Sequence, residues 1–195
     1  LVYAFDEHFV LLVSHDEVVH CKQSLLDKMY GNYDDKFRAY RAFMVFMMTM
    51  PGKKLLFMGT EYGPFKEWDF ENGLEWFMLG FPAHKQLQDF NKALNWFYLT
   101  NNALWENDSG WDGFQWIDPD LKDMDLISYR RINHAGEELF VIINFAPVPW
   151  SYSLPVRHYM VPFNNFGVVK SAYDFYKNLG ACYVMDQANY DSCIP

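Results

Sequence analysis

One stretch of the sequence decides the fold: Phe9-Val10-Leu11-Leu12-Val13, followed at once by Ser14-His15-Asp16-Glu17. A continuous apolar run that ends at a polar cluster is typical of a β-strand buried on both faces. Such strands belong to parallel sheets, in which ligands bind beyond the carboxyl ends of the strands. The polar cluster after this strand is therefore the first candidate for a functional site.

The rest of the first hundred residues repeats the same order of elements. A helix is predicted from a cap at Asp34 or Asp35 to Pro51-Gly52, because apolar residues recur there at spacings of three and four. A second buried strand, 54–58, also ends at a polar cluster, and a second amphipathic helix spans 84–98. This order predicts an α/β fold with a parallel sheet and helical crossovers.

The pattern changes near residue 105. The segments 114–117, 126–131 and 139–145 are predicted to be short strands, because turn-like acidic or Gly-containing stretches separate them. They predict an antiparallel all-β region, so we expect two domains, 1–105 and 106–195.

Each region has predicted core residues. The methionines of the first helix are expected to lie inside the core, since Met fills irregular space there. Three tryptophans of the second region are also predicted to be core: Trp111, Trp116 and Trp150. Residues 160–195 have no pattern that fixes a fold, although 173–178 is compatible with a helical turn or a strand.

The composition limits the class of partner. The net charge is −9 and no basic run is present, so binding to nucleic acid is not expected. Aromatic residues make up 19% of the chain, which fits either a large aromatic core or a protein that binds sugar rings. The longest apolar run, 43–50, is too short to span a membrane. Three cysteines without a C-x-x-C spacing favour a reducing compartment over a disulfide framework.

His15 and Asp16 are the residues that suggest a chemistry. A retaining enzyme that cleaves a glycosidic bond uses a carboxylate nucleophile and a carboxylic acid. A third carboxylate can hold the distorted sugar ring, and a neighbouring His can donate a hydrogen bond to the same sugar. An adjacent His-Asp pair at a strand end suits this third role, because the nucleophile and the acid must flank the bond.

Other interpretations of the pair are less favoured. A lone His-Asp pair is more often structural than catalytic. Metal ligation by His15, Asp16 and His20 is disfavoured, because the two histidines are not at the i, i+4 spacing of a helical zinc site. A Ser14 nucleophile with His15 as its base is poorer still, because adjacent strand residues point to opposite faces and no G-x-S-x-G surrounds Ser14.

Four stretches together resemble the glycogen and starch branching enzymes, which belong to the α-amylase superfamily of glycoside hydrolases. The stretches are Leu12 to His20 with Lys22 to Leu26, Pro51 to Gly59 with Glu61, Glu67-Trp68, and Asn144 to Pro149. Their order and spacing agree with the family over residues 5 to 155. Cys21 departs from it, because the family usually has Gly there, and the chain after residue 160 matches poorly.

The resemblance implies an architecture. The strand that ends at Val13 and the strand 54–58 correspond to the seventh and eighth strands of a (β/α)8 TIM barrel, so the first region is the last two β/α units. The second region is the C-terminal antiparallel β-sandwich, which is expected to be truncated. The family nucleophile, an Asp, and the general acid, a Glu, are expected upstream of residue 1, so the chain alone is expected to be inactive.

The resemblance also implies the site residues. Asp16 is the expected transition-state stabiliser, and His15 is expected to hydrogen-bond the substrate. Glu17, Glu61 and Trp68 are the candidate substrate-binding residues. Glu61 can instead receive loop amides, and Trp68 can instead pack the loop. Neither a cofactor nor a metal ion is expected.

The implied activity is cleavage of an α-1,4-glucosidic bond and transfer of the chain to a 6-hydroxyl, which forms an α-1,6 branch. The expected substrates are glycogen, amylose and amylopectin, and the expected location is the cytoplasm, or the plastid of a plant or alga. Two alternatives are a non-catalytic α-glucan-binding module and a hydrolytic amylase relative, although the segment 17–20 points away from an amylase. The sequence alone leaves the oligomeric state and the length of the transferred chain undecided.

Overall fold

The structure is a computed structural model of the 195-residue chain. It describes residues 5, 6, 8, 10–148, 153–156, 159–162 and 182–186. An α/β region is followed along the chain by antiparallel β-strands, as the sequence predicts.

The α/β region contains two parallel strands and two long helices. Strand β1, helix α1, strand β2 and helix α2 span Val10–Val13, Tyr33–Thr49, Lys53–Leu56 and Pro82–Thr100. Val13 lies beside Leu56 at the end of the parallel pair. The short turns that follow the two strands, His15–Glu17 and Thr60–Tyr62, therefore lie at the same edge of the sheet.

Helix α1 begins earlier than the sequence predicts. Asn32 caps it, so the predicted cap at Asp34 or Asp35 is wrong. The Asn32 side chain accepts a hydrogen bond from the Asp35 amide at 3.1 Å, and the Asp35 carboxylate accepts one from the Asn32 amide at 3.2 Å. This capping box satisfies amides that the first helical turn leaves without partners. Asp35 contributes to the cap from inside the helix.

In its described residues, the second region contains two antiparallel sheets. One has four strands in the order β3-β4-β5-β8, and the other has two strands, β6 and β7. Strands β3 to β8 span Phe114–Asp118, Leu126–Ile132, Glu138–Asn144, Ser153–Val156, Tyr159–Pro162 and Cys182–Asp186. Strand β8 lies in the part of the chain for which the sequence predicts no fold, and the element predicted at 173–178 lies outside the described residues. The β-sandwich and the division at residue 105 stay predictions.

The core is continuous between the two regions. A single cluster of buried side chains includes Tyr40 of α1, Leu87 of α2, Tyr129 of β4 and Val141 of β5. The methionines that were predicted to be core are buried: Met44, Met47, Met48 and Met50. Helix α1 therefore packs both against helix α2 and against strand β5 of the antiparallel sheet.

Trp111 is not a core residue, so that prediction is wrong. Trp111 is 51% exposed in a short 3-10 turn ahead of β3, where its ring contacts Phe5 and Phe114 with centroid distances of 4.8 Å and 6.2 Å. Trp116 is half-buried against Phe114 and Tyr129. Trp150 lies outside the described residues.

A buried arginine joins the two regions. Arg131 is fully buried and donates hydrogen bonds to the carbonyls of Thr49, at 2.9 Å, and Gly113, at 3.1 Å. It also donates to the Asp108 carboxylate at 2.5 Å. The Thr49 hydroxyl forms a hydrogen bond with the Tyr129 hydroxyl at 2.5 Å. A buried charge is tolerated when it is paired and its donors are satisfied, so these bonds fix the end of α1 against β4.

Candidate active site

The residues after β1 form a tight turn. His15–Glu17 is one turn of 3-10 helix, and Ser14 caps it. The Glu17 carboxylate accepts hydrogen bonds from the Ser14 amide at 2.6 Å and from the Ser14 hydroxyl at 2.9 Å. The Ser14 hydroxyl accepts a hydrogen bond from the Asp16 amide at 3.2 Å. This capping box bends the chain at the strand end and leaves His15 and Asp16 on its outer side.

The Glu17 carboxylate serves this turn. Burial acts to raise its pKa, but the hydrogen bonds from Ser14 and the nearby charge of Lys22 outweigh burial and hold the pKa below its ordinary value. Glu17 is therefore ionised at neutral pH and bound to its own backbone. The role of Glu17 in binding substrate stays a prediction. A sugar hydroxyl that donated to this carboxylate would do so beside the hydrogen bonds from Ser14.

His15 and Asp16 form an exposed pair. His15 Nε2 lies 3.2 Å from Asp16 Oδ1, and 52% of the His15 side chain and 68% of the Asp16 side chain are exposed. An ion pair this exposed contributes little to stability. Because the fold depends little on their contact, both side chains are available to a ligand at the carboxyl end of β1.

Two aromatic rings support His15. Its ring meets the Trp68 ring edge-on, with the centroids 5.8 Å apart, and the Phe57 ring meets Trp68 at 5.1 Å. The Phe57 amide donates to the Val13 carbonyl at 2.9 Å, which attaches these rings to the ends of both parallel strands. Edge-to-face contacts contribute about 0.5–1.5 kcal/mol each beyond the area that they bury. The structure thus brings Trp68 together with the His15–Asp16 pair.

Trp68 also lines a small cleft beside the pair. The cleft has a volume of about 50 Å³, and its other lining residues include Phe57, Lys66, Asn72 and Glu75. Sites that enclose small organic ligands have volumes of about 300–1,000 Å³. The cleft as described is therefore too small to enclose a glucose ring.

The loop that follows the turn has an unusual backbone. His20, Cys21 and Gln23 have φ values of 58°, 63° and 69°, in the left-handed region that favours glycine. Cys21 stands where the resembling family usually has Gly, and it keeps the conformation that a glycine would favour. Residues 18–23, which we call the site loop, therefore need support from elsewhere in the chain.

Glu67 supplies that support. Its carboxylate accepts hydrogen bonds from the Cys21 amide at 3.1 Å and from the Gln23 amide at 2.6 Å. Between these two residues, Lys22 donates from its ammonium group to the Asp16 carbonyl at 2.7 Å. The sequence interpretation gave Glu67 no role, and its place beside Trp68 in a family-like stretch was the one signal that pointed to it.

Glu61 lies apart from the other predicted site residues. Its carbonyl accepts a hydrogen bond from the Asn91 side chain at 2.8 Å, and it lines a shallow groove along α2 with Lys92 and Trp96. Within the described residues, Glu61 makes no hydrogen bond or ion pair with the His15–Asp16 pair. Its role in binding substrate stays a prediction.

The sequence predicts neither a metal site nor a membrane-spanning helix. In the described ranges, nowhere do three or more His, Cys, Asp or Glu side chains gather closely enough to hold a metal ion. No helix in this part of the chain is both long and apolar enough to cross a membrane. Cys21 is exposed and carries a free thiol.

The sequence is similar to two curated bacterial proteins, although no family model matches it. The 1,4-alpha-glucan branching enzyme GlgB of Halothermothrix orenii is 46% identical over 169 residues, which are 84% of this chain and 27% of that protein. The protein of the same name from Aquifex aeolicus is 48% identical over 148 residues, which are 75% of this chain and 24% of that protein. The chain spans about a quarter of the length of these relatives.

Solved structures share the fold. Pullulanase type I from Bacillus subtilis matches with a TM-score of 0.58 at 17% identity, over 73% of this chain and 21% of that chain. The catalytic module of SpuA, a glycogen-degrading pneumococcal virulence factor, matches with a TM-score of 0.56 at 15% identity, over 70% of this chain and 28% of that chain. These likenesses extend across both regions of the molecule. On its sequence, the chain belongs to the 1,4-α-glucan branching enzyme family.

Proposed function

We propose that this chain is the part of a 1,4-α-glucan branching enzyme that stabilises the transition state for glucan cleavage. The complete reaction cleaves an α-1,4-glucosidic bond and transfers the chain to a 6-hydroxyl, which forms an α-1,6 branch. One observation carries the proposal: an exposed His15–Asp16 pair at the carboxyl end of a parallel strand, in a chain 46% identical to a branching enzyme.

Asp16 acts as the third carboxylate of a retaining mechanism. The nucleophile and the acid of such a mechanism are carboxyl groups about 5–5.5 Å apart. Glu17, the carboxylate next to Asp16 in the chain, is ionised and bound to Ser14, so it is unsuited to act as the acid. Asp16 therefore binds hydroxyls of the distorted sugar, and His15 donates a hydrogen bond to the same sugar. The nucleophile and the acid are contributed from outside this chain.

The architecture that we propose is the last two units of a (β/α)8 barrel followed by a β-sandwich. The exposure of apolar side chains on and just after the two strands supports it. The exposed fraction is 49% for Val10, 44% for Leu55 and 57% for Met58. A closed parallel barrel buries such side chains between its neighbours. The small cleft beside Trp68 fits the same view, because further barrel units would enlarge it into a sugar site.

The ligand and its location complete the proposal. The net charge of −9 fits a neutral glucan better than a polyanion. An exposed free thiol at Cys21 fits the reducing environment of the cytoplasm.

The experiment replaces Asp16 in the complete protein that carries this chain. Asp16→Asn keeps the size of the side chain and removes its charge, so we expect kcat for α-1,6 linkage formation to fall about 100-fold or more, the usual effect of losing one electrostatic stabiliser. Asp120→Asn is the control, because Asp120 is 81% exposed on the β region, and it should leave kcat unchanged. Proton NMR of the product counts α-1,6 linkages, and a reducing-end assay detects hydrolysis. Retention of more than a few per cent of the wild-type kcat by Asp16→Asn would remove Asp16 from this role.

A further inference from the structure

We propose that Glu67 is a positioning residue that holds Asp16 in its reactive place through the site loop. The inference rests on the proposed function. It concerns a residue 51 positions away from Asp16 in the sequence, whose two carboxylate oxygens bind backbone amides of the site loop.

The site loop does not hold its own conformation. Three of its residues, His20, Cys21 and Gln23, have left-handed backbones although none of them is glycine. Such residues persist where the surrounding structure determines their conformation. Within the described residues, the loop forms three backbone hydrogen bonds: from the Val18 amide to the His15 carbonyl at 2.9 Å, from the Lys22 amide to the Val19 carbonyl at 3.3 Å, and from the Trp68 amide to the Val18 carbonyl at 3.0 Å.

Glu67 completes the loop as an internal anion. Backbone amides of a tight turn can point toward a common point, which forms a concavity that binds a negative charge. The two Glu67 carboxylate oxygens occupy such a point, one on the Cys21 amide and the other on the Gln23 amide. Hydrogen bonds from amides to a charged carboxylate are among the stronger ones in proteins.

Lys22 connects this anchor to Asp16. Glu67 binds the amides on both sides of Lys22, so it fixes the backbone from which the Lys22 side chain extends. The Lys22 ammonium group then donates to the Asp16 carbonyl at 2.7 Å. The contacts therefore run without a gap from Glu67 to the backbone of Asp16. When Glu67 is lost, the backbone of Lys22 is no longer fixed, and the hydrogen bond from Lys22 no longer holds the Asp16 carbonyl in place.

Trp68 holds the other member of the pair. Its amide bonds to Val18 at the start of the site loop, and its ring lies against His15 at 5.8 Å. Two adjacent residues thus support the two adjacent site residues, Glu67 through Lys22 and Trp68 by direct contact. The carboxylate is the part of this arrangement that a conservative substitution can test, because Gln keeps its shape.

The expected effect is on kcat. A displacement of about 1 Å at a site can lower the rate about 100-fold, because catalysis depends on the placement of groups in the transition state. Both carboxylate oxygens of Glu67 are bound to amides of the site loop, so we expect the ground-state affinity and KM to change little. A residue that only stabilised the fold would lower the amount of active protein, and it would leave kcat per folded molecule unchanged.

The experiment uses the complete protein with Glu67→Ala, Glu67→Gln and the control Glu71→Gln, an exposed glutamate in the same segment. We expect kcat per folded molecule to fall about 10- to 100-fold in Glu67→Ala, the usual range for a residue that orients a site residue. Glu67→Gln keeps one acceptor oxygen and should lose less, and Glu71→Gln should equal the wild type. Melting temperatures and the folded fraction are measured for every variant. If kcat per folded molecule in Glu67→Ala and Glu67→Gln equals the wild-type value, the proposal is wrong.

A second variant tests the route through Lys22. Lys22→Met should lower kcat on its own, and the double variant Lys22→Met with Glu67→Ala should be no slower than the slower single variant, because both changes break one chain of contacts. If the fold-decreases in kcat of the two single variants multiply in the double variant, Glu67 does not act through Lys22. A wild-type protein that forms no α-1,6 linkages would overturn the proposed function itself, whereas an active wild type with unaffected Glu67 variants would overturn only the role of Glu67.

Discussion

The junction around Arg131 and the turn around Asp16 hold charged groups in opposite ways. Arg131 is fully buried and binds three oxygens of the surrounding chain. Asp16 is 68% exposed, and the backbone beneath it is held by Ser14 and Lys22. A buried charge destabilises the fold strongly when its partner is removed, whereas an exposed pair contributes little. Changes at the junction should therefore appear as lost stability, and changes at the turn should appear as lost rate.

The largest effect on stability is expected from Arg131→Met, which removes the buried ion pair and hydrogen bonds of Arg131 at the junction. It leaves the Asp108 carboxylate without its guanidinium partner, and we expect a loss of about 3–5 kcal/mol in the free energy of unfolding. Arg38→Met is the control, because Arg38 forms an exposed ion pair with Asp35 on α1, worth less than about 1 kcal/mol. Urea denaturation measures both variants. Equal losses would show that the junction is no more important than a surface pair.

Gly113→Ala tests how closely the junction is packed. A Cβ atom at Gly113 would lie 1.7 Å from the Asn107 carbonyl oxygen, and a backbone atom cannot move aside without distorting the loop. We expect a loss of about 1–3 kcal/mol, typical of an overpacked interior. Gly73→Ala, in the segment near the site, meets no atom within 4 Å and should change stability by less than about 0.5 kcal/mol. A stable Gly113→Ala protein would contradict the description of the junction.

Lys54 is a further charged group near the junction; among the described residues its ammonium group donates to the Met50 carbonyl and forms no ion pair. Burial, with smaller effects from Arg131 and Lys53, lowers its pKa from 10.5 to about 7, although Asp108 opposes the shift. Below pH 7 both the folded and the unfolded chains bind the proton, so the full penalty of the buried charge applies. Between pH 7 and 10.5 the unfolded chain binds more protons than the folded one, so stability rises with pH.

Lys54→Met should therefore raise the free energy of unfolding by on the order of 1–2 kcal/mol at pH 6, since the penalty of the charge is removed. The gain should decrease as the pH approaches 10. Melting temperatures of both proteins across this range give the comparison. A gain that is constant with pH would mean that the charge of Lys54 is not the cause.

The smallest effect is expected from Cys21→Gly in the site loop. Cys21 has a φ of 63°, and a glycine adopts this conformation without the steric penalty of about 1 kcal/mol that other residues carry. We expect the melting temperature to rise slightly in Cys21→Gly. Cys21→Ala is the matched control, because it keeps the Cβ atom and should give no gain. A gain in Cys21→Ala would point to the thiol and not to the backbone.

The fold was largely predictable because its signals are local. The apolar run before Ser14 and the helical spacing around Met44 lie within single elements, and both elements are present in the structure. The cap of α1 was misplaced, since Asn32 and Asp35 share it and several polar residues occur there in succession. Trp111 was misplaced because a tryptophan is large enough to be mostly exposed while one edge is packed.

The contacts that hold the site were not predictable for a physical reason. Glu67 binds amides 44 and 46 residues away, and Arg131 binds a carbonyl 82 residues away. Neither contact leaves a periodic pattern in the sequence. His15 and Asp16 were identified because they follow a strand directly, whereas the residues that position them act across the fold.

The kcat and melting temperature of the complete protein with Asp16→Asn distinguish a catalytic role of this carboxylate from a structural one. We expect kcat for α-1,6 linkage formation to fall about 100-fold or more while the melting temperature stays close to that of the wild type, because the carboxylate serves the transition state and not the fold. Wild-type kcat in Asp16→Asn, or a loss of activity that follows a large fall in melting temperature, would contradict it.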